Sequence, residues 1–477
     1  MPRESSSTRA LRAAALISVL PPLLFAIAAY GQQAPLLMPK KQVQGTELAS
    51  VSMRAAGAAW HDAAWDDLER GSLEPGRYEV RFQADGDGGE VSLEVPHCAG
   101  RDRVALDGHE VRAPPGPLVV PLAPGPHEVL IGISVSPYER RIACGDRPRI
   151  GAESTVGGFS ILRFASPSAA QGGGSAVVYL PPGRDLHIPA PLLVGLHPWN
   201  GSIWTYAAYA PLLREARARG VTLLMPSGLG NSLYTADAED EVIRAIHALS
   251  EAISVDEHAV SLWGASMGGA GATTIGFHHP DRFASVTSFF GDSKYDLSTY
   301  VRAILPNEAA AHLVNALDVV DNARELSVWL IHGEKDRTSP IRQSELLASA
   351  MRQRGWRVRF DRVPEMGHSG ALVARFLPEV VAAAVSSRVP DRVSRVTYRS
   401  VHASDTSAYG VRVVRAAGAG DATVDVERRD DAVHVLRAEG VRAIGLSRSA
   451  LCTAGERAIP IVVDEVRATS LDVRCEP

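Results

Sequence analysis

Residues 264–268 read Gly264-Ala265-Ser266-Met267-Gly268, a G-x-S-x-G arrangement. The apolar run Ala259-Val260-Ser261-Leu262-Trp263 precedes it, and the small residues Gly269, Ala270, Gly271 and Ala272 follow. A serine hydroxyl is a useful nucleophile only when it projects toward a base, which calls for a sharp strand-to-helix turn at the serine itself. Gly264 and Gly268 leave room for that turn, because side chains two residues either side would collide. The apolar run suits a buried parallel strand, and the small residues let the next helix lie close on the sheet. The start of that helix directs backbone N–H groups, Met267 first, to where an oxyanion would develop.

Two further segments supply partners. Ser327-Val328-Trp329-Leu330-Ile331 is a second buried-strand candidate, with His332-Gly333-Glu334-Lys335-Asp336 at its C-terminal end. Open α/β sheets keep their chemistry at that end, which makes Asp336 the candidate orienting acid. Residues 357–362 alternate like a strand, and Pro364-Glu365-Met366-Gly367-His368-Ser369-Gly370 then carries a histidine on a glycine-flanked loop. In the order Ser266, Asp336, His368, the imidazole takes the serine proton and the carboxylate fixes its tautomer. Asp292, close after a strand ending at Phe290, is the rival acid. His278, His279 and His332 are read as structural.

With these residues in place, 177–376 resembles an α/β-hydrolase of the secreted esterase and polyester-depolymerase kind. The kin are feruloyl and acetyl-xylan esterases and prolyl-oligopeptidase catalytic domains. The resemblance rests on Leu196-His197-Pro198-Trp199-Asn200-Gly201, Val255-Asp256, the serine turn, His279-Pro280-Asp281-Arg282-Phe283, Ile331-His332-Gly333 with Asp336, and Gly367-His368. It implies a doubly wound, mostly parallel sheet and cleavage of a carboxylic ester through an acyl-enzyme. No cofactor and no metal are implied, and the substrate would be an ester, including polymeric or glycan-linked ones. One departure is His197-Pro198, where the family has His-Gly. Proline has no N–H, so the second oxyanion donor beside Met267 moves to the Trp199 amide. Two alternatives stay open: a serine peptidase of the prolyl-oligopeptidase type, although no blade repeats are found, and a glycan-binding or adhesive protein with an inactive hydrolase domain.

The elements that must position these residues occupy the middle of a 477-residue chain with 45% apolar and 22% charged residues, which has the composition of a globular protein. A net charge of −5 and the lack of a basic run exclude a nucleic-acid footprint. Residues 1–28 read as a signal peptide: Arg3, Arg9 and Arg12 precede an apolar run, and Ala26 and Ala28 fit the cleavage positions. The rival reading is an uncleaved anchor. The expectation is a secreted or periplasmic protein without membrane attachment after cleavage.

Residues 46–165 predict an N-terminal β-sandwich domain, from alternation at Tyr78, Val80 and Phe82, at Val91, Leu93 and Val95, and at Val129, Ile131, Ile133 and Val135. Trp60 and Trp65 are core or sugar-stacking candidates, and residues 85–89 read as a turn. Residues 166–175, with three consecutive glycines, predict a flexible linker. The α/β-hydrolase catalytic domain spans 176–389, and a second, smaller β domain spans 390–477. Turnover of small esters is expected to need neither β domain. Tyr295 and Tyr300 are groove candidates. The acidic start of the helix at Asp237, Glu239, Asp240 and Glu241 reads as a solvated complement to its dipole. Four cysteines permit three pairings, of which Cys98–Cys144 and Cys452–Cys475 stay within single domains. Such bonds require an oxidising compartment.

Overall fold

The computed structural model describes residues 35–39, 41–86, 91–113, 116–137, 140–154, 158–169, 172–295, 301, 305, 307–402, 407–429, 431–454, 457–463 and 471–476. The signal-peptide segment, the tip of the 85–89 turn and Tyr300 lie outside the described residues. No described helix is long and apolar enough to cross a membrane.

Nine strands form the central sheet: β1 (Leu36–Pro39), β2 (Gly158–Ala165), β3 (Gly173–Leu180), β4 (Ala190–Leu196), β5 (Thr222–Pro226), β6 (Val255–Ala265), β7 (Ser285–Phe289), β8 (Ser327–Gly333) and β9 (Val358–Val363). Their spatial order is β1-β2-β3-β5-β4-β6-β7-β8-β9. From β5 to β9 every pairing is parallel, whereas β1, β2 and β3 join antiparallel.

Strand residues alternate between two cores, as a period of two requires. Leu192, Val194, Leu262 and Leu330 pack with helices Asp237–Ala252, Met267–His278 and Arg342–Gln353. Leu193, Trp263, Trp329 and Ile331 face the other way, toward Ala210–Arg219 and Gly370–Ser386. Strands buried on both faces explain why the sequence shows continuous apolar runs here.

Between β1 and β2 the chain forms a six-stranded sheet containing Gly76–Gly86 and Gly125–Val135 and a four-stranded one containing Gln42–Glu47 and Arg149–Ser154, both feeding one core. After it, two four-stranded sheets built around Ala422–Arg428 and Val441–Ser447 share another. Disulfides join Cys98 to Cys144 and Cys452 to Cys475. Trp65 is buried in core, and the partly exposed Trp60 has the guanidinium groups of Arg54 and Arg81 at 4.4 and 4.3 Å from its ring centre.

The glycine-rich stretch departs from expectation. Gly173 and Gly174 belong to β3 and pair with Ala165 and Phe164 of β2 across a hairpin, so 166–175 is not a linker and the catalytic sheet starts before residue 176. Gly174 is small for packing: a Cβ there would come within 2.4 Å of the Phe164 ring. Glu239 and Glu241, expected on a solvated face, are buried. Tyr295 is buried as well, its hydroxyl directed at the Leu233 carbonyl.

Candidate active site

Ser266 sits between β6 and helix Met267–His278 with φ 57° and ψ −120°, a strained conformation for a residue with a side chain. The turn is held by the Ser266 N–H donating to the Phe289 carbonyl at 2.9 Å. Both flanking glycines are sterically required. A Cβ on Gly268 would lie 1.8 Å from the Leu196 oxygen, and one on Gly264 2.3 Å from the Gly268 oxygen. Gly269 and Gly271 let the helix close on the Phe289 carbonyl and the Tyr234 ring. Met267 opens that helix, so its N–H has no carbonyl one turn earlier within the helix to receive it.

Asp336 follows β8 and His368 follows β9, on the loop leading into helix Gly370–Ser386. His368 Nδ1 lies 2.8 Å from Asp336 Oδ2, while Asp336 Oδ1 accepts the N–H groups of Thr338 and Ser339, each at 2.9 Å. Burial works to raise the Asp336 pKa. The His332 imidazole 3.6 Å away, the hydrogen bond and charge of His368, and the Ser339 amide outweigh it and hold the carboxyl well below its usual range. His332 is fully buried between Ser344 Oγ and the Ser339 carbonyl, in the structural place expected for it. The rival acid, Asp292, accepts the Ser339 hydroxyl at 2.6 Å. Ser339 thus ties the two carboxyl groups together, and Asp336 meets His368 at 2.8 Å.

Ser266, His368 and Trp199 line one cavity of about 630 Å³ with Phe290, Tyr206, Tyr209 and Val373. The Phe290 ring packs against His368 at 4.3 Å between centres. The structure therefore brings together Ser266, Trp199 and His368, puts Asp336 behind the histidine and Met267 behind the serine.

Two contributors escape a sequence reading. Tyr206 is buried, donates to the Leu196 carbonyl at 2.7 Å and accepts the Ala265 N–H at 3.0 Å, clamping the loop after β4 to the serine turn. Its only sequence signal is an aromatic ten residues beyond the strand. The second is the N-terminal sheet pair, which lends His97, Ala99, Gly100 and Ser136 to the same cavity. Burial, then the charge of Arg101, push the His97 pKa down to about 4, and the Gly116 N–H donates to its Nδ1 at 3.3 Å. His97 is thus neutral at pH 7.

Among the described residues one group has metal-binding side chains close together: Glu239, His278 and His402, with ligand atoms within 4.8 Å of one another. His278 Nδ1 and His279 Nε2 each lie 2.8 Å from the Glu239 carboxylate. Burial raises the pKa of Glu239, but both histidines overcome it and hold the group ionised. The group lies at the far end of the serine helix, roughly 18 Å from Ser266 at 1.5 Å rise per residue, and joins the helix to the C-terminal sheets.

Residues 230–384 match the prolyl oligopeptidase family. The matched segment contains Ser266, Asp336 and His368 and covers about a third of the chain. No curated protein sequence matches this chain. Solved structures similar to it include an S-formylglutathione hydrolase from Agrobacterium tumefaciens (19% identity, 50% of this chain and 98% of that one, TM-score 0.43). A ferulic acid esterase aligns at 17% identity over 48% of this chain and 98% of its own, TM-score 0.41. A dipeptidyl peptidase 4 from Porphyromonas gingivalis aligns at 14% over 49% and 36%, TM-score 0.40.

Proposed function

We propose that this hydrolase is a secreted serine esterase that cleaves carboxylic esters through an acyl-enzyme. The observation that carries the reading is the 2.8 Å His368–Asp336 contact opening onto the cavity that also contains the strained Ser266. Ser266 Oγ attacks the carbonyl carbon while His368 Nε2 removes its proton, and Asp336 stabilises the imidazolium. The Met267 and Trp199 amides receive the oxyanion. His368 then protonates the departing alcohol, and water activated by the same imidazole releases the acid. Two disulfides support export to an oxidising compartment, and the sheets on either side of the catalytic one are read as β-sandwich domains.

The prolyl oligopeptidase family match over 230–384 favours a second reading, a serine peptidase using the same residues. A panel of p-nitrophenyl esters and aminoacyl-nitroanilides separates the two. Ester turnover at least a hundredfold above that of the anilides supports the esterase. The reverse order moves the assignment to a peptidase, and turnover unchanged by Ser266→Ala removes both.

A further inference from the structure

A second hollow, of about 710 Å³, adjoins the catalytic cavity and shares Thr338, His368 and Ser369 with it. Its walls come from two parts of the chain, 69–72 with Pro137, Arg140 and Arg141 on a helix end and loops of the N-terminal part, and the loops after β8 and β9. Arg70, Arg140, Arg141, Lys335 and Arg337 face it, against only Glu69 and Glu365. A cationic basin in a chain of net charge −5 is a local feature that bulk composition does not explain.

Three of the cations are matched: Arg140 by Glu74, Lys335 by Glu365, and Arg70 by Asp66 at 3.8 Å. Arg337 is exposed, and among the described residues it has no ion pair. Arg141 is partly buried across the seam. Among the described residues its guanidinium donates to backbone carbonyls alone, Glu69 at 3.5 Å and Gly370 at 3.4 Å, and it leans over the Tyr209 ring of the neighbouring cavity at 5.3 Å. Its Nε is buried without a hydrogen-bond partner. A guanidinium fork suits carboxylate and sulfonate oxygens far better than carbonyls at such distances. The 17-residue helix Gly370–Ser386 adds its positive end, with Ser369 as N-cap and Ala371 on the basin wall.

We propose that this basin binds an anionic group on the leaving half of the substrate. The inference rests on the serine-hydrolase reading in one respect. His368 protonates the leaving group, so that half lies on the imidazole side of Ser266, where the basin opens. The acyl half then fills the aromatic cavity of Trp199, Tyr209 and Phe290. The substrate class is an ester with an apolar acyl group and an alcohol bearing a carboxylate or sulfonate-like anion.

Full-length Ser266→Ala protein, titrated calorimetrically with 4-hydroxybenzoate, 4-hydroxybenzenesulfonate and neutral methyl 4-hydroxybenzoate, tests the basin without needing turnover. At least one anion is expected to bind tenfold or more tighter than the neutral ester, with the preference shrinking at high salt. Adding Arg337→Gln, or separately Arg141→Gln, is expected to cut that preference at least threefold. The exposed Arg337 keeps the test open if the Arg141 variant fails to fold. The stronger of the two anions identifies the preferred group. Equal affinity for anionic and neutral ligands, or a preference that survives both substitutions, overturns the proposal. Wild-type turnover of 4-acetoxybenzoate and its methyl ester is a separate arm. Failure to cleave either counts against the esterase reading, whatever the calorimetry shows.

Discussion

At the scale of residues, the three proposed catalytic groups act as one unit, and their loss should be strongly non-additive. Ser266→Ala and His368→Ala are each expected to lower kcat on p-nitrophenyl esters by about 10⁴–10⁶, Asp336→Asn by about 10⁴, and the Ser266/His368 double change by little more than either alone. Circular dichroism of each variant checks that the fold survives. Retained activity in Asp336→Asn with loss in Asp292→Asn would transfer the acid role to the residue that holds Ser339. These residues were legible in the sequence because strand ends, glycine spacing and chain order are local signals. Tyr206 was not, since its role depends on one hydroxyl reaching two backbone atoms of different strands. Tyr206→Phe leaves the Leu196 carbonyl and Ala265 N–H without that partner, so a loss of about 1–3 kcal/mol in denaturant stability is expected. Unchanged stability and unchanged kcat would show that the clamp is dispensable.

At the scale of elements, β4 to β9 and their helices follow the apolar runs and helical periodicities of the sequence closely, because each element is buried by its neighbours. The glycine-rich 172–174 stretch misled because glycine serves both flexible linkers and close packing, and only the facing Phe164 ring distinguishes them. Glu239 misled for a similar reason: its histidine partners lie 39 and 40 residues away. Glu69, in the short helix Trp65–Arg70, shows burial winning instead. Burial lifts its carboxyl to about 7 although Arg214 and Arg141 pull it down, and Asp66 and Asp146 assist the rise. A raised carboxyl holds more protons folded than unfolded between about 4.5 and about 7, so stability declines as pH climbs through that window. Glu69→Gln is therefore expected to be near neutral at pH 4.5 and to stabilise by about 1–3 kcal/mol at pH 8, measured by urea unfolding. A variant less stable than its parent at pH 8 would contradict the burial argument.

At the scale of the whole molecule, the central sheet and the Ser266 cavity both draw on the N-terminal part. Strands β1 and β2 come from before residue 166, and His97, Ala99, Gly100 and Ser136 close the cavity wall. A chain beginning at Ser175 is thus expected to be insoluble or to keep less than a tenth of the activity on small esters. Full activity in a soluble form would restore the independent-domain expectation. The Cys98–Cys144 bond sits between His97 and Ala99, so Cys98→Ala with Cys144→Ala should raise KM more than it lowers kcat. An unchanged KM would separate the bond from the cavity. Hydropathy alternation announced the sheets of both flanking parts, but no local pattern in one segment could show that it lines a site built mainly by another.

The central claim is that Ser266 is a nucleophile activated by His368, and covalent trapping tests it most directly. The full-length protein is incubated with a fluorophosphonate and its peptides are mapped by mass spectrometry. One stoichiometric adduct is expected on the peptide containing Ser266, absent in Ser266→Ala and formed at least a hundredfold more slowly in His368→Ala. An adduct on a different residue, or none from a preparation that hydrolyses esters, would contradict it.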